Sequence, residues 1–278
     1  MRTTDLGWKS KDGLELYARL REPEGRPKAV VCLLHGLGEH VGRYEHVGEA
    51  LVSSGYALMG FDQRGHGRSA GPRGYTPSYE FLMEDTDILM AHAGERYPGA
   101  RRFLYGHSLG GNEAITYAIQ RKPDLAGVIV TGPMFRLGFP PPVLKVTLGR
   151  LMNYIYPKFT QPTGLETAAL SRDRKVVDLY ISDPLVHDKI TSRLFVDMMA
   201  SGKWSLVHAA DLSLPLLLMH GSADRLASPD GSREFARKGG KNITFHIFED
   251  WYHEIHNEPD QADVFKMMTS WMDSCLER

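Results

Sequence analysis

Cysteine is scarce in this chain: two in 278 residues, Cys32 inside an apolar run and Cys275 near the C-terminus. A disulfide scaffold is excluded, and such sparse usage fits reduced, inert thiols in a cytoplasmic protein. An excess of one charge is also missing. Lys and Arg number 33 against 34 Asp and Glu, a formal net charge of -1. Nothing predicts the basic surface that captures nucleic acid. No apolar run approaches the roughly 20 residues of a membrane-spanning helix. Residues 1–11 are polar and lack the core of a secretory signal. Motifs for cofactors are absent too. There is no Gly-x-x-x-x-Gly-Lys-Ser/Thr loop for phosphates. The spacing His253-Glu254-Ile255-His256 is one residue short of the His-Glu-x-x-His pattern that faces two ligands from one helix turn. Neither a cofactor nor a metal is expected.

What is present is an alternation. Residues 14–20, 29–34, 56–61, 101–105, 125–131, 214–220 and 244–249 read as strands. The run Ala-Val-Val-Cys-Leu-Leu at 29–34 is apolar throughout, as in a strand buried on both faces. Residues 43–54, 79–97, 112–121 and 261–276 read as helices between or after them. Strands alternating with helices at short spacing predict an α/β fold, a mostly parallel sheet covered on both faces.

The alternation breaks after Gly132. Three consecutive prolines at 140–142 precede one helical stretch at 143–156, and another covers 190–202. The expected organisation is a sheet domain in two parts, 1–132 and 212–278, with a helical insertion at 133–211. The insertion leaves the carboxyl end of a strand, where ligands of such sheets bind, so it is placed to roof a site. Phe135, Leu137, Phe139, Val143, Leu144, Val146, Leu148, Leu151 and Met152 are more apolar residues than one face of a small helix needs. Packing, an acyl tunnel and contact with lipid are the three uses open to them.

Gly106-His107-Ser108-Leu109-Gly110 carries the chemistry. It sits between the strand at 101–105 and a helix ended by Pro123, the context of a nucleophile elbow. Gly67-Arg68-Ser69-Ala70-Gly71 matches the same pattern but runs straight into Pro72, Arg73 and Gly74, so no helix follows it. Ser108 is the expected nucleophile. A serine hydroxyl needs a histidine base, and the base needs a carboxylate, in the chain order serine, acid, histidine. Of twelve histidines, His253 follows a late strand in a loop and is the expected base, with His256 three residues on as its rival. His220 ends a strand and reads as a structural polar group. Asp224 is the first carboxylate after the strand at 214–220, with Asp230 and Asp250 as rivals. The oxyanion donors expected are the N–H of Leu109 and, from the loop His35-Gly36-Leu37-Gly38, that of Leu37.

These residues, with HGLGEHVGRY at 35–44, FDQRGHGRS at 61–69, YGHSLGG at 105–111, HGSADRLASP at 220–229 and YHEIHNEP at 252–259, resemble the monoacylglycerol lipases and lysophospholipases of the α/β-hydrolase superfamily. The resemblance implies an eight-stranded sheet with a lid inserted after the sixth strand. It implies Ser108, Asp224 and His253 as triad, Leu37 and Leu109 as oxyanion donors, and no cofactor. It also implies a polar-end site for glycerol at Glu39, Arg43 and His256. The expected function is hydrolysis of monoacylglycerols through an acyl-serine. A broad short-chain carboxylesterase or lysophospholipase is the alternative within enzymes, and a catalytically silent binding scaffold the alternative outside them. The expected partner is a small amphiphilic ester, with transient membrane contact through the lid. Acyl-chain preference and oligomeric state are not legible.

Overall fold

The computed structural model describes residues 1–140 and 143–277; Pro141, Pro142, Arg278 and the side chains of Val143, Leu144 and Lys145 lie outside the described residues. Eight strands form one sheet: β1 (Arg2–Lys9), β2 (Glu15–Glu22), β3 (Ala29–Leu34), β4 (Ala57–Phe61), β5 (Arg101–His107), β6 (Gly127–Thr131), β9 (Leu216–Gly221) and β10 (Ile243–Phe248). Their order is β1-β2-β4-β3-β5-β6-β9-β10. β1 pairs antiparallel with β2, and β2 with β4; every other pairing is parallel. β7 (Thr160–Pro162) and β8 (Lys189–Thr191) form a separate two-stranded sheet in the insertion.

β3 is buried along its whole length, and its alternate side chains serve two different cores. Val30, Cys32 and Leu34 meet α2 (Tyr79–Arg96) and α3 (Leu109–Arg121) through Met83, Leu89, Ala114 and Ile115. Ala29, Val31 and Leu33 meet α1 (Glu45–Ser53) and α8 (Ala262–Leu276) through Val47, Leu51, Val264 and Met268. Period-two alternation on a sheet covered twice explains the unbroken apolar run. Cys32 and Cys275 lie on opposite faces of the sheet, so the single pairing open to them does not form.

Between β6 and β9 the chain leaves the sheet. It forms α4 (Val143–Ile155), α5 (Arg174–Ser182) and α6 (Ser192–Val207) together with β7 and β8. α6 packs on α3 through hydroxyls as well as apolar groups: Thr116 Oγ1 lies 2.7 Å from Ser201 Oγ and 3.0 Å from Ser205 Oγ. Among the described residues, no helix is long and apolar enough to cross a membrane.

Several elements differ from the sequence reading. β1 was not expected. It is a sheet edge with one inward face, Thr4, Leu6 and Trp8, whose alternation is weak because the inward Thr4 is polar and the outward Gly7 has no side chain. β2 runs on through Arg21 and Glu22, both buried; Arg21 reaches Glu45, and Glu22 takes Arg96 at 3.0 Å. Ion pairing there hides a strand end behind polar residues. α5 and α7 (Pro229–Lys238) are further helices where none was anticipated. α7 begins with proline at its first turn, a favoured start. α6 begins two residues later than expected and runs five further, to Val207.

Candidate active site

Ser108 joins β5 to α3 with φ 53° and ψ −113°, a strained conformation for a residue with a side chain. The strain is held by close packing on both sides. A Cβ on Gly106 would lie 2.2 Å from Gly110 O, and one on Gly110 would lie 2.1 Å from Leu34 O. Only glycine fits at either position. Ser108 N donates to Thr131 O at 3.0 Å, pinning the turn to the end of β6. Ser69, the other pattern match, is a structural serine: its hydroxyl donates to Asp62 O and accepts from Tyr17 N at 2.9 Å.

Asp224 sits in the loop after β9 and His253 in the loop after β10. His253 Nδ1 donates to Asp224 Oδ2 at 2.7 Å, which leaves Nε2 as the ring nitrogen for a serine proton. Asp224 Oδ1 accepts from Leu226 N at 2.8 Å and Ala227 N at 3.0 Å. Burial raises a carboxylic acid, but the His253 charge and the His220 and His253 hydrogen bonds outweigh it and hold Asp224 well below the usual range. Burial opposes the imidazolium of His253, yet the Asp224 carboxylate outweighs it and His253 lies above its ordinary value. The rivals fall away on geometry. Asp230 is exposed and pairs with Arg233 at 3.0 Å, and Asp250 is exposed.

Two N–H groups near the serine are already committed, that of Ser108 to Thr131 and that of Gly36 to Glu39 Oε1 at 2.6 Å. Leu109 follows as the first residue of α3, where an N–H has no intrahelical acceptor. Leu37 follows Gly36 in the loop after β3 and lines the same cavity as Ser108 and His253. The insertion is tied to this loop. His187 N donates to Gly38 O at 2.8 Å, and His40 Nε2 lies 2.9 Å from Asp183 Oδ2.

The cavity measures about 320 Å³. Gly36, Leu37, Glu39, His107, Ser108, His253 and Glu254 form one end; Met134, Leu137, Phe139, Val146, Ile190, Phe195, Met198 and Leu226 line the rest, with residues 161–165 of the insertion. Behind the polar end is a buried charge cluster. Arg43 donates to Glu39 Oε2 at 2.7 Å and to both oxygens of Glu254 at 2.7 Å each. Burial would raise Glu254, but Arg43 outweighs it and holds the carboxyl well below the usual range. For Glu39 burial prevails over Arg43, and its carboxyl is raised.

Of the polar-end residues expected, Glu39 lines the cavity, Arg43 stands behind it, and His256 does not reach it. The His256 ring is fully buried, stacked on Tyr44 at 5.0 Å and edge-on to His107 at 4.7 Å. The resemblance implies a role for His256 in binding glycerol; its ring stands behind His107 and not on the cavity wall. Glu254 lines the cavity instead and was missed, because a carboxylate beside a histidine in a loop carries no periodic signal. Among the described residues no group of His, Cys, Asp and Glu has the makings of a metal site.

A serine at a strained strand-to-helix turn, a histidine bonded to a buried aspartate and an eight-stranded mostly parallel sheet define a serine hydrolase of the α/β-hydrolase fold. The sequence matches the serine aminopeptidase S33 family over residues 25–260. A monoacylglycerol lipase of Mycolicibacterium smegmatis is 31% identical over 95% of this chain and 95% of its own length. An uncharacterized abhydrolase domain-containing protein of Dictyostelium discoideum is 33% identical over 96% of this chain, which spans only 29% of that relative. The crystal structure of Paleococcus ferrophilus monoacylglycerol lipase superposes with a TM-score of 0.85 at 31% identity, covering 99% of this chain and all of that one. The chain belongs to this family of α/β-hydrolases, among the monoacylglycerol lipases, and is a serine esterase.

Proposed function

We propose that this enzyme hydrolyses monoacylglycerols to glycerol and a fatty acid through an acyl-serine at Ser108. In this reading Ser108 Oγ attacks the ester carbonyl while His253 Nε2 takes its proton. Asp224 holds the imidazole in the right tautomer and stabilises the imidazolium. The N–H groups of Leu37 and Leu109 receive the oxyanion. The alcohol leaves with the proton from His253. Water, activated by the same nitrogen, then releases the acid.

The observation that carries the substrate class is the polarity of the cavity at Ser108. Its insertion side is mainly apolar, with Gln161, Thr163 and Tyr180 as its polar members, and suits an alkyl chain, whose methylenes each gain about 0.8 kcal/mol on burial. Its elbow side presents Glu39 and Glu254 against a single guanidinium, Arg43. Carboxyl oxygens accept hydroxyl hydrogen bonds, and the cation there, Arg43, is already paired with both Glu39 and Glu254, which favours glycerol over the phosphate of a lysophospholipid head group. We assign the polar end to Glu39 and Glu254, with Arg43 holding both and His256 packing behind.

Contact with a lipid surface fits the insertion. Leu151, Tyr154 and Ile155 on α4 and Leu179 and Ile181 on α5 are 54% to 86% exposed. A reducing compartment, the cytoplasm, suits the two buried thiols.

The deciding experiment sets monoacylglycerols, diacylglycerols, lysophospholipids and p-nitrophenyl esters before wild type and Ser108→Ala. Monoacylglycerols are expected to have the highest kcat/KM, and the alanine variant to lose activity on all. A preference for lysophospholipids overturns the substrate class. Undiminished hydrolysis by Ser108→Ala overturns the mechanism.

A further inference from the structure

Asp224 serves a second histidine. His220, in β9 and fully buried, places Nε2 2.9 Å from Asp224 Oδ2, the same oxygen that receives His253 Nδ1. With Leu226 N and Ala227 N on Oδ1, four donors surround this carboxylate. The other ring nitrogen, His220 Nδ1, lies 2.7 Å from the hydroxyl of Ser232, fully buried on α7.

The carboxylate fixes the tautomer assigned to the His220 imidazole. An ionised carboxylate only accepts, so His220 Nε2 carries a proton. Ala227 O, 3.3 Å from the same nitrogen, also only accepts. In the neutral ring Nδ1 is then an acceptor, and Ser232 donates to it. The order is Ser232 O–H to His220, His220 N–H to Asp224, and His253 N–H to Asp224.

Backbone N–H groups hold Oδ1 and the loop, and leave Oδ2 to the two histidines. What the His220 bond adds falls on the oxygen that His253 uses. It stops the carboxylate rotating away from His253. It also draws charge from Oδ2 and so weakens that oxygen's hold on the imidazolium. Resting on the triad reading above, we propose that His220 and Ser232 are positioning residues that hold Asp224 Oδ2 toward His253 and set the pH at which His253 serves as base.

The other groups facing His253 stay in place when His220 is changed. They are His107 from the elbow, its ring 4.7 Å away, Glu254 from the same loop, and Glu39 from the loop after β3. His256 sits behind His107. A change in the His253 titration on substitution of His220 therefore reports the bond to Asp224.

The test compares pH profiles of kcat and kcat/KM for wild type, His220→Leu, His220→Gln and Ser232→Ala, with thermal unfolding of each and with Ser108→Ala alongside. His220→Leu is expected to lower kcat about 10- to 100-fold at nearly unchanged KM, the range for losing a hydrogen bond to a charged group. Its acid limb should move up by about one pH unit, because the carboxylate left to His253 alone is more basic. His220→Gln, whose amide N–H reaches the same oxygen, should restore most of both. Ser232→Ala should shift the limb the same way with a smaller loss, about 2- to 10-fold in kcat. If His220→Leu does not fold, the Gln and Ser232→Ala profiles decide alone: a moved limb in Ser232→Ala that Gln does not share supports the pair. Folded His220→Leu or Ser232→Ala enzymes with the wild-type limb and kcat overturn it. So does His220→Gln performing no better than His220→Leu. Full activity in Ser108→Ala would instead remove the triad itself, so the two failures are told apart.

Discussion

Glu254, the residue next to His253, holds Arg43 through both carboxylate oxygens at 2.7 Å. The pair is buried, with side chains 2% and 9% exposed, and Arg43 reaches Glu39 as well. A guanidinium fork suits this arrangement, and an ammonium does not reproduce it. Arg43→Leu leaves two buried carboxylates without their cation. The expected loss is about 3–5 kcal/mol, the usual cost of breaking a buried pair from one side. Arg43→Lys should fall between it and wild type. Urea unfolding at neutral pH measures both, and a leucine variant as stable as wild type would contradict the assignment.

The same carboxylate acts on the base. Burial disfavours the His253 imidazolium, but Asp224 outweighs burial, and Glu254 and Glu39 add to it. The base must be neutral to take a proton, so kcat/KM should fall as pH drops through a value above the ordinary 6.5. Glu254→Gln removes one negative neighbour, and its acid limb should therefore lie lower than wild type. A limb that rises in this variant would show that Glu254 does not act on His253 through its charge.

Glu113 lies in α3 behind the elbow. It is fully buried, and Thr86 donates to its Oε1 at 2.6 Å while Oε2 has no partner. Burial pushes its carboxyl up to about 8. The sign follows from linkage: a raised acid favours the folded state while protonated in it. Its contribution is complete below the unfolded value of 4.5 and is lost as pH rises to about 8. Glu113→Gln stays neutral, so the stability difference, variant minus wild type, should grow between those limits by about 1.4 kcal/mol per pH unit at most. A difference independent of pH would show that Glu113 is ionised in the folded protein.

The sheet was legible because its central strands are buried on both faces, and an apolar run such as residues 29–34 has no other ready explanation. Candidates for serine, acid and histidine were legible because each follows the carboxyl end of a strand, β5, β9 and β10. What escaped was stabilised by partners distant in sequence. The end of β2 is carried by Arg21 with Glu45 and by Glu22 with Arg96. Glu254 depends on Arg43, 211 positions away. His220 read as a structural polar group because its partners lie in a loop and on α7, a helix the sequence did not announce.

On the insertion, Leu151, Tyr154 and Ile155 expose 54%, 86% and 68% of their surfaces along one end of α4. If they enter a lipid surface, replacing all three by serine should weaken flotation with phosphatidylcholine vesicles by at least about tenfold, since each large apolar side chain gains about 1.5–3 kcal/mol on full burial. Hydrolysis of a dissolved p-nitrophenyl ester should be unchanged. Equal flotation of variant and wild type would remove lipid contact from this face.

Acyl-chain preference should follow the apolar length of the cavity. A methylene buried there gains about 0.8 kcal/mol, close to fourfold in kcat/KM. Across a series of monoacylglycerols kcat/KM should climb about fourfold per methylene until the chain outgrows the cavity, and then level off or fall. Val146 on α4 and Phe195 on α6 both line the apolar part. Val146→Trp takes volume from it and should move the break to shorter chains. Phe195→Ala adds volume and should move it to longer ones. A p-nitrophenyl acetate assay serves as control, because an acetyl group ends near Ser108 and should not sense either change. If both variants keep the wild-type break, the acyl chain does not lie against these two residues, and residues 161–165, which line the same cavity, become the place to look.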